Sequence, residues 1–283
     1  MTAPANFLYL GGDKCGSTWI HHILDKHPQV SLAQAKELFF FDRFYDKGMG
    51  WYADQFPDPG TTLRQGEICH DYLYSPQALA RIALDLPVDS VFLICLRDPL
   101  ARSISHYRYL LKIGHVKAEF AEAIVTHPQI IGHSLYSEHL ARAQDLLGKE
   151  RVRVLWFDQL QSDPAGFGRA MCDALCIDYL PNLPYADRIL DSAGARSPTL
   201  VRHLRSTGWL IRRLGFPALV SRVKDSPALQ KALFTRASSA PIMANLASEP
   251  SVINMLAQFR KDHSAIRALM GSVVPDWPAG WAP

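Results

Sequence analysis

Six apolar residues in a row, Val91-Phe92-Leu93-Ile94-Cys95-Leu96, stop abruptly at Arg97-Asp98-Pro99. A run of that length without alternation reads as a strand buried on both faces, which calls for a parallel sheet covered by helices. Asp98 and Pro99 then read as an N-cap followed by proline at the first helical position. The same grammar recurs along the chain. Phe7-Leu8-Tyr9-Leu10 is a buried strand ending at Gly11-Gly12, and a helix is expected from about Ser17 to Lys26. Lys26 and His27 suit the C-terminal dipole of that helix and Pro28 stops it. Val152 to Phe157 forms a third strand, and Asp163-Pro164 repeats the capped helix start. After about residue 185 the pattern is helix and loop with no strong strand. The expectation is an α/β fold, a central parallel sheet flanked by helices with a helical C-terminal part, in one domain over 1–283.

Composition narrows the function by exclusion. The 283 residues suffice for one large core, and 30 Lys and Arg against 27 acids leave a net charge of only +3;. Nucleic-acid binding therefore has no support from overall charge, and any anion preference must come from local clusters. The five cysteines are odd in number and lack zinc spacing, as small core residues in a reducing compartment would be;. No apolar stretch approaches the roughly 20 residues that cross a bilayer. The six residues before Phe7 are too few for a signal sequence, so a soluble cytoplasmic chain is expected;.

The loop after the first strand is Gly11-Gly12-Asp13-Lys14-Cys15-Gly16-Ser17-Thr18-Trp19. Glycines between a buried strand and a helix let backbone N–H groups turn inward, and the helix N-terminus adds partial positive charge, so the segment is a phosphate cradle. A nucleotide-hydrolysing P-loop has Gly, four residues, Gly, then Lys and Ser or Thr. Here Gly11 and Gly16 keep that frame, Ser17 holds the lysine position, and the lysine stands earlier, at Lys14.

With its lysine two residues before the glycine, the loop resembles that of sulfotransferases that use 3′-phosphoadenosine-5′-phosphosulfate (PAPS, leaving PAP). The resemblance implies a P-loop-like three-layer fold. It implies too that Gly16, Ser17, Thr18 and Trp19 hold the 5′-phosphate while Lys14 reaches the oxygen bridging phosphorus and sulfur. That oxygen gains negative charge as the bond breaks, which a placed ammonium stabilises. The stretch Leu96-Arg97-Asp98-Pro99 through Ser105-His106-Tyr107 resembles the family's 3′-phosphate motif, and Arg97 and Ser105 are the matching ligands. No metal is implied. Asp98 is a helix cap in this reading, and Arg102 and His106 are structural.

Lys36-Glu37-Leu38-Phe39-Phe40-Phe41, followed by Gly50-Trp51-Tyr52, is similar to the glycan-modifying, heparan-sulfate-type branch. There the glutamate is the general base, which maps onto Glu37, with Lys36 beside the cleft. The next motif departs: related enzymes often read Glu-Lys-x-Pro-x-Tyr, and this chain has Glu67-Ile68-Cys69-His70-Asp71-Tyr72. His70 thereby becomes a rival base. Tyr136 is placed in the cleft lining, and Phe259, Leu269-Met270-Gly271 and Trp277 resemble the family's closing helix and tryptophan.

From Ser192 to Lys224 there are seven Lys and Arg residues and no Asp or Glu. A basic loop here in the family folds over the nucleotide, which makes Arg196 a candidate second 3′-phosphate ligand and residues 185–250 a segment covering the cleft. A solvated helical face and an interfacial helix against anionic lipid are the other readings. The expected activity is sulfuryl transfer from PAPS to a hydroxyl of a saccharide or glycosylated small molecule, by in-line displacement without metal. A P-loop kinase or NTPase, or a non-catalytic PAPS- or glycan-binding module, are the alternatives.

Overall fold

A computed structural model of the chain describes residues 4–187, 193–195, 198–224, 234–236 and 249–281. They fall into two compact units, Met1–Arg97 with Ser137–Ile189, and Asp98–Tyr136 with Leu190–Pro283. In chain order the first unit opens with β1 (Phe7–Gly11), α1 (Ser17–Leu24), β2 (Val30–Leu32), α2 (Phe40–Arg43), α3 (Gly48–Ala53), β3 (Arg64–Ile68), α4 (Pro76–Asp85) and β4 (Val91–Leu96). The chain then supplies α5 (Pro99–Lys112), α6 (Phe120–Thr126) and α7 (Gln129–Gly132) to the second unit. It returns through α8 (Tyr136–Leu147) to β5 (Val152–Trp156), α9 (Phe157–Ser162) and α10 (Pro164–Leu175). The second unit is completed by β6 (Ala193–Ala195), α11 (Pro198–Arg213), α12 (Pro217–Lys224), β7 (Phe234–Arg236) and α13 (Pro250–Met270).

The first unit is built on a five-stranded sheet in the order β2-β3-β1-β4-β5, every pairing parallel. The expected α/β class is therefore observed. Because all five strands run the same way, the loops after β1, β2, β3 and β4 emerge at one carboxyl edge, where open α/β sheets bind ligands. β1 and β3 approach closely at Gly66, where a Cβ would stand 2.0 Å from the Phe7 carbonyl oxygen. Trp19, Ile20, Ile23 and Leu24 form one face of α1 and pack with Phe7, Tyr9, Leu93 and Cys95 of the sheet and Phe167, Met171 and Cys172 of α10. A separate aromatic stack joins Phe40, Phe41, Tyr52, Phe56 and Tyr72.

Several boundaries differ from expectation. α1 ends at Leu24 because Asp25, Lys26 and His27 bond back to His21, Ile23 and Leu24 in a closing turn. β5 stops at Trp156, and Phe157 opens α9. β2 and β3 carry little apolar signal: β3 is Arg-Gln-Gly-Glu-Ile, with Arg64 donating from Nε to the Leu175 carbonyl. β6 and β7 form a two-stranded antiparallel ribbon in the segment read as strandless, each too short for an alternating pattern.

In the second unit Asp98 caps α5, Oδ1 accepting from the Ala101 N–H at 2.7 Å and Oδ2 from the Trp281 indole at 2.7 Å. Both carboxylate oxygens thus accept from protein donors, and Asp98 is the cap the sequence pattern indicated. Arg102 is fully buried, its guanidinium donating to Ser134 Oγ and the Ile130 carbonyl. Tyr136 is fully buried rather than lining a cleft; its N–H donates to Asp262 of α13 at 2.8 Å. Among the described residues no helix is long and apolar enough to cross a membrane.

Candidate active site

The site residues of the first unit sit on the loops of that carboxyl edge. The loop after β1 begins where the Gly12 N–H donates to the Cys95 carbonyl at 2.8 Å, tying it to β4. Asp13 is buried, its carboxylate accepting from the Tyr74 hydroxyl at 2.9 Å. Lys14 adopts a left-handed backbone, φ 63°, and its carbonyl accepts from Arg97 Nη1 at 3.3 Å. Gly16 caps α1 at φ 89°, and a Cβ there would press to 3.0 Å on the Phe157 ring. The same ring lies 4.6 Å beneath the Arg97 guanidinium. Lys14, Gly16 and Arg97 are thus held by one another and by α9.

Ser17 and Thr18 open α1, with their hydroxyls turned toward the loop after β2. Lys36 Nζ donates to both, at 3.2 Å to Ser17 and 3.0 Å to Thr18. The same ammonium lies 3.9 Å from Glu37 Oε1. The sequence placed Lys36 only beside a cleft; the structure puts it between the helix N-terminus and the carboxylate. Trp19 faces the other way. Its ring packs edge-on against Phe167 and its indole N–H donates to the Tyr185 carbonyl, so its side chain is taken up by the core.

Glu37 stands on a strained loop, with Glu37 at φ 62° and Phe39 at φ 56°. Left-handed non-glycine residues persist only where surrounding contacts hold them. The Glu37 N–H donates to the Ile68 carbonyl at 3.0 Å, and the Leu38 N–H to Glu67 Oε2 at 3.2 Å. The Phe41 N–H reaches the Tyr72 hydroxyl, which itself donates to Glu67 Oε1 at 2.8 Å. Glu67 is 1% exposed, and burial, only partly offset by these hydrogen bonds, pushes its pKa up to about 7. In the sequence Glu67 only opens the motif that departs at Ile68 and His70 and carries no role of its own; its signal is a carboxylate within a strand otherwise buried at that end.

His70 lies at the end of β3 with Nδ1 3.2 Å from Glu37 Oε1 and Nε2 3.2 Å from Asp71 Oδ1. Both contacts are ion-pair distances, and Nδ1 is not aligned as a hydrogen bond to its carboxylate. Burial pulls the imidazole pKa down, but the carboxylates of Glu37, Asp71 and Asp13 outweigh it and hold the group above its ordinary value. Asp71 is also paired with Arg43, whose Nε lies 3.0 Å from Asp42. Asp42 is pushed up to about 6 by burial, against the pull of Arg43.

The structure therefore gathers Lys14 with Gly16 and Arg97, Ser17 and Thr18 with Lys36, and Glu37 with His70. Ser105 lies on α5 of the second unit, half-buried. Arg196 lies outside the described residues.

No family model matches the chain. In sequence it is 29% identical over 157 residues to the membrane-associated sulfotransferase kil1 of Dictyostelium discoideum, covering 50% of this chain and 33% of that one. It is 31% identical over 171 residues to human heparan sulfate glucosamine 3-O-sulfotransferase 3B1, covering 56% of this chain and 43% of that one. The chain thus spans less than half the length of these curated relatives. In structure it resembles a sulfotransferase from Alicyclobacillus acidocaldarius with a TM-score of 0.57 and 22% identity, over 80% of this chain and 98% of that one, a likeness of fold. By sequence and by fold, this chain is similar to the sulfotransferases, the heparan-sulfate-type enzymes among them.

Proposed function

We propose that the chain transfers a sulfuryl group from PAPS to a hydroxyl of a saccharide. The observation that carries this reading is Lys36, whose ammonium joins the two hydroxyls at the start of α1 to the Glu37 carboxylate. An anion cradle and a proton acceptor are thereby within one side chain of each other, as transfer from an anionic donor to a hydroxyl requires.

In this reading the N-terminus of α1, with Ser17, Thr18 and Lys36, holds the donor's 5′-phosphate, and Arg97 takes the 3′-phosphate. A guanidinium grips phosphate with two donors, which an ammonium cannot copy. Glu37 accepts the proton of the acceptor hydroxyl as its oxygen bonds to sulfur. The sulfur–oxygen bond to the phosphate breaks, its electron pair leaves with PAP, and Lys14 stabilises the charge on that oxygen. Both ring nitrogens of His70 face carboxylates, which favours Glu37 as the base and His70 as the group that orients it. The relatives named for heparan sulfate support a saccharide acceptor.

Incubation with sulfur-labelled PAPS and a heparan-type saccharide, with and without a chelator, tests this reading. Labelled saccharide in both arms is expected. Phosphate transfer from ATP that requires a divalent metal would make it a kinase, and donor binding without product a binding module.

A further inference from the structure

α11 and α12 of the second unit pack on each other at Gly208, where a Cβ would stand 3.5 Å from Val220. Between them the chain turns through Leu214-Gly215-Phe216. Gly215 takes a φ of 101°, and the Phe216 N–H returns to the Ile211 carbonyl at 3.1 Å, closing the end of α11;. Leu204, Leu210, Leu214, Phe216, Leu219 and Val223 of this hairpin are each 43% to 65% exposed. Surface apolar residues scattered singly are ordinary; six large ones on one short hairpin mark an interaction surface.

The charges around them select the partner. Arg213 is exposed among them and Arg212 is buried; along the sequence Arg202, Arg205, Arg222 and Lys224 also interleave with the apolar residues, and no acid occurs between Ser192 and Lys224. A polyanionic glycan would use the arginines but not the leucines and Phe216. A second copy of this chain would bring the same positive charge against itself. A bilayer carrying anionic lipid uses both features, since apolar area enters the acyl boundary while Arg and Lys meet the headgroup phosphates. We propose that the α11–α12 hairpin docks peripherally on an anionic lipid surface, with Leu214 and Phe216 at its turn entering the bilayer.

Co-sedimentation of the full chain with vesicles tests this, using phosphatidylcholine alone and phosphatidylcholine with about one-third phosphatidylglycerol. The chain should pellet with the anionic vesicles only, and less so at high salt. Leu214→Ser with Phe216→Ser should weaken binding at least about tenfold, and Leu219→Ser severalfold, with thermal unfolding unchanged. Failure to bind anionic vesicles would overturn the proposal. So would unchanged binding by both folded apolar variants, or equal loss of binding to heparin and to vesicles on Arg213→Glu with no effect of the apolar variants, which would mark a glycan surface. Concentration-dependent dimerisation abolished by Phe216→Ser, without vesicle binding, would assign the patch to a second copy.

Discussion

The carboxylate of Glu37 and the imidazole of His70 meet at 3.2 Å, although they come from loops after different strands. Parallel neighbours β2 and β3 deliver those loops to the same edge of the sheet, and the Glu37 N–H on the Ile68 carbonyl fixes one loop on the other. The two residues that compete for the role of base in the sequence are thus a pair in the structure, flanked by Lys36 on one side and Asp71 on the other.

His70 makes the first prediction. Its raised pKa means that its contribution to folded stability is complete below the unfolded value and is lost as pH rises through the folded one;. The imidazole lies 3.2 Å from the Glu37 carboxylate. His70→Gln should therefore retain activity, yet move the acidic limb of the kcat/KM profile to higher pH. A dead His70→Gln variant with intact donor binding would make His70 the base.

Lys36 touches the two hydroxyls assigned to the 5′-phosphate, so Lys36→Met should weaken PAP binding by about 1.5–3 kcal/mol, more than tenfold;. Titration calorimetry reads this directly. Unchanged PAP affinity would remove Lys36 from the cradle.

Glu67 holds the loop of Glu37 through Leu38 and, by way of Tyr72, through Phe41. Its pKa of about 7 against an ordinary carboxylate means that the folded state binds its proton more tightly than the unfolded chain. Stability it contributes is present below the unfolded pKa and is lost as pH rises toward 7, a difference on the order of 3 kcal/mol;. Glu67→Gln should flatten the fall in Tm between about pH 5 and about pH 8 and should lower kcat more than it raises KM for the donor. An unchanged slope of Tm with pH would show that Glu67 is not buried as an acid.

How far the sequence revealed these features follows from which forces write a local pattern. β1 and β4, buried on both faces, write continuous apolar runs, and Gly16, Lys14 and Arg97 follow them at fixed offsets. Caps such as Asp98 and Asp163 are equally local. β3 is polar over most of its length, and its pairing with β1 depends on Gly66 admitting the Phe7 carbonyl, a contact across 59 residues that no local pattern records. Lys36 bridging α1 and the Glu67–Tyr72 clamp are likewise tertiary. Glu37 and His70 were each legible as residue types, but their pairing depends on the order of strands in the sheet.

The central claim is that Glu37 removes the acceptor's proton during sulfuryl transfer, and the most direct measurement is single-turnover transfer of label from PAPS to a heparan-type saccharide. Wild type and Glu37→Gln are compared at saturating donor, with PAP affinity measured for both. The account predicts labelled saccharide from the wild type and a rate about 10²–10⁴-fold lower for Glu37→Gln, with PAP binding unchanged. Equal rates for the two, or no labelled saccharide from a wild type that binds PAP, would contradict it.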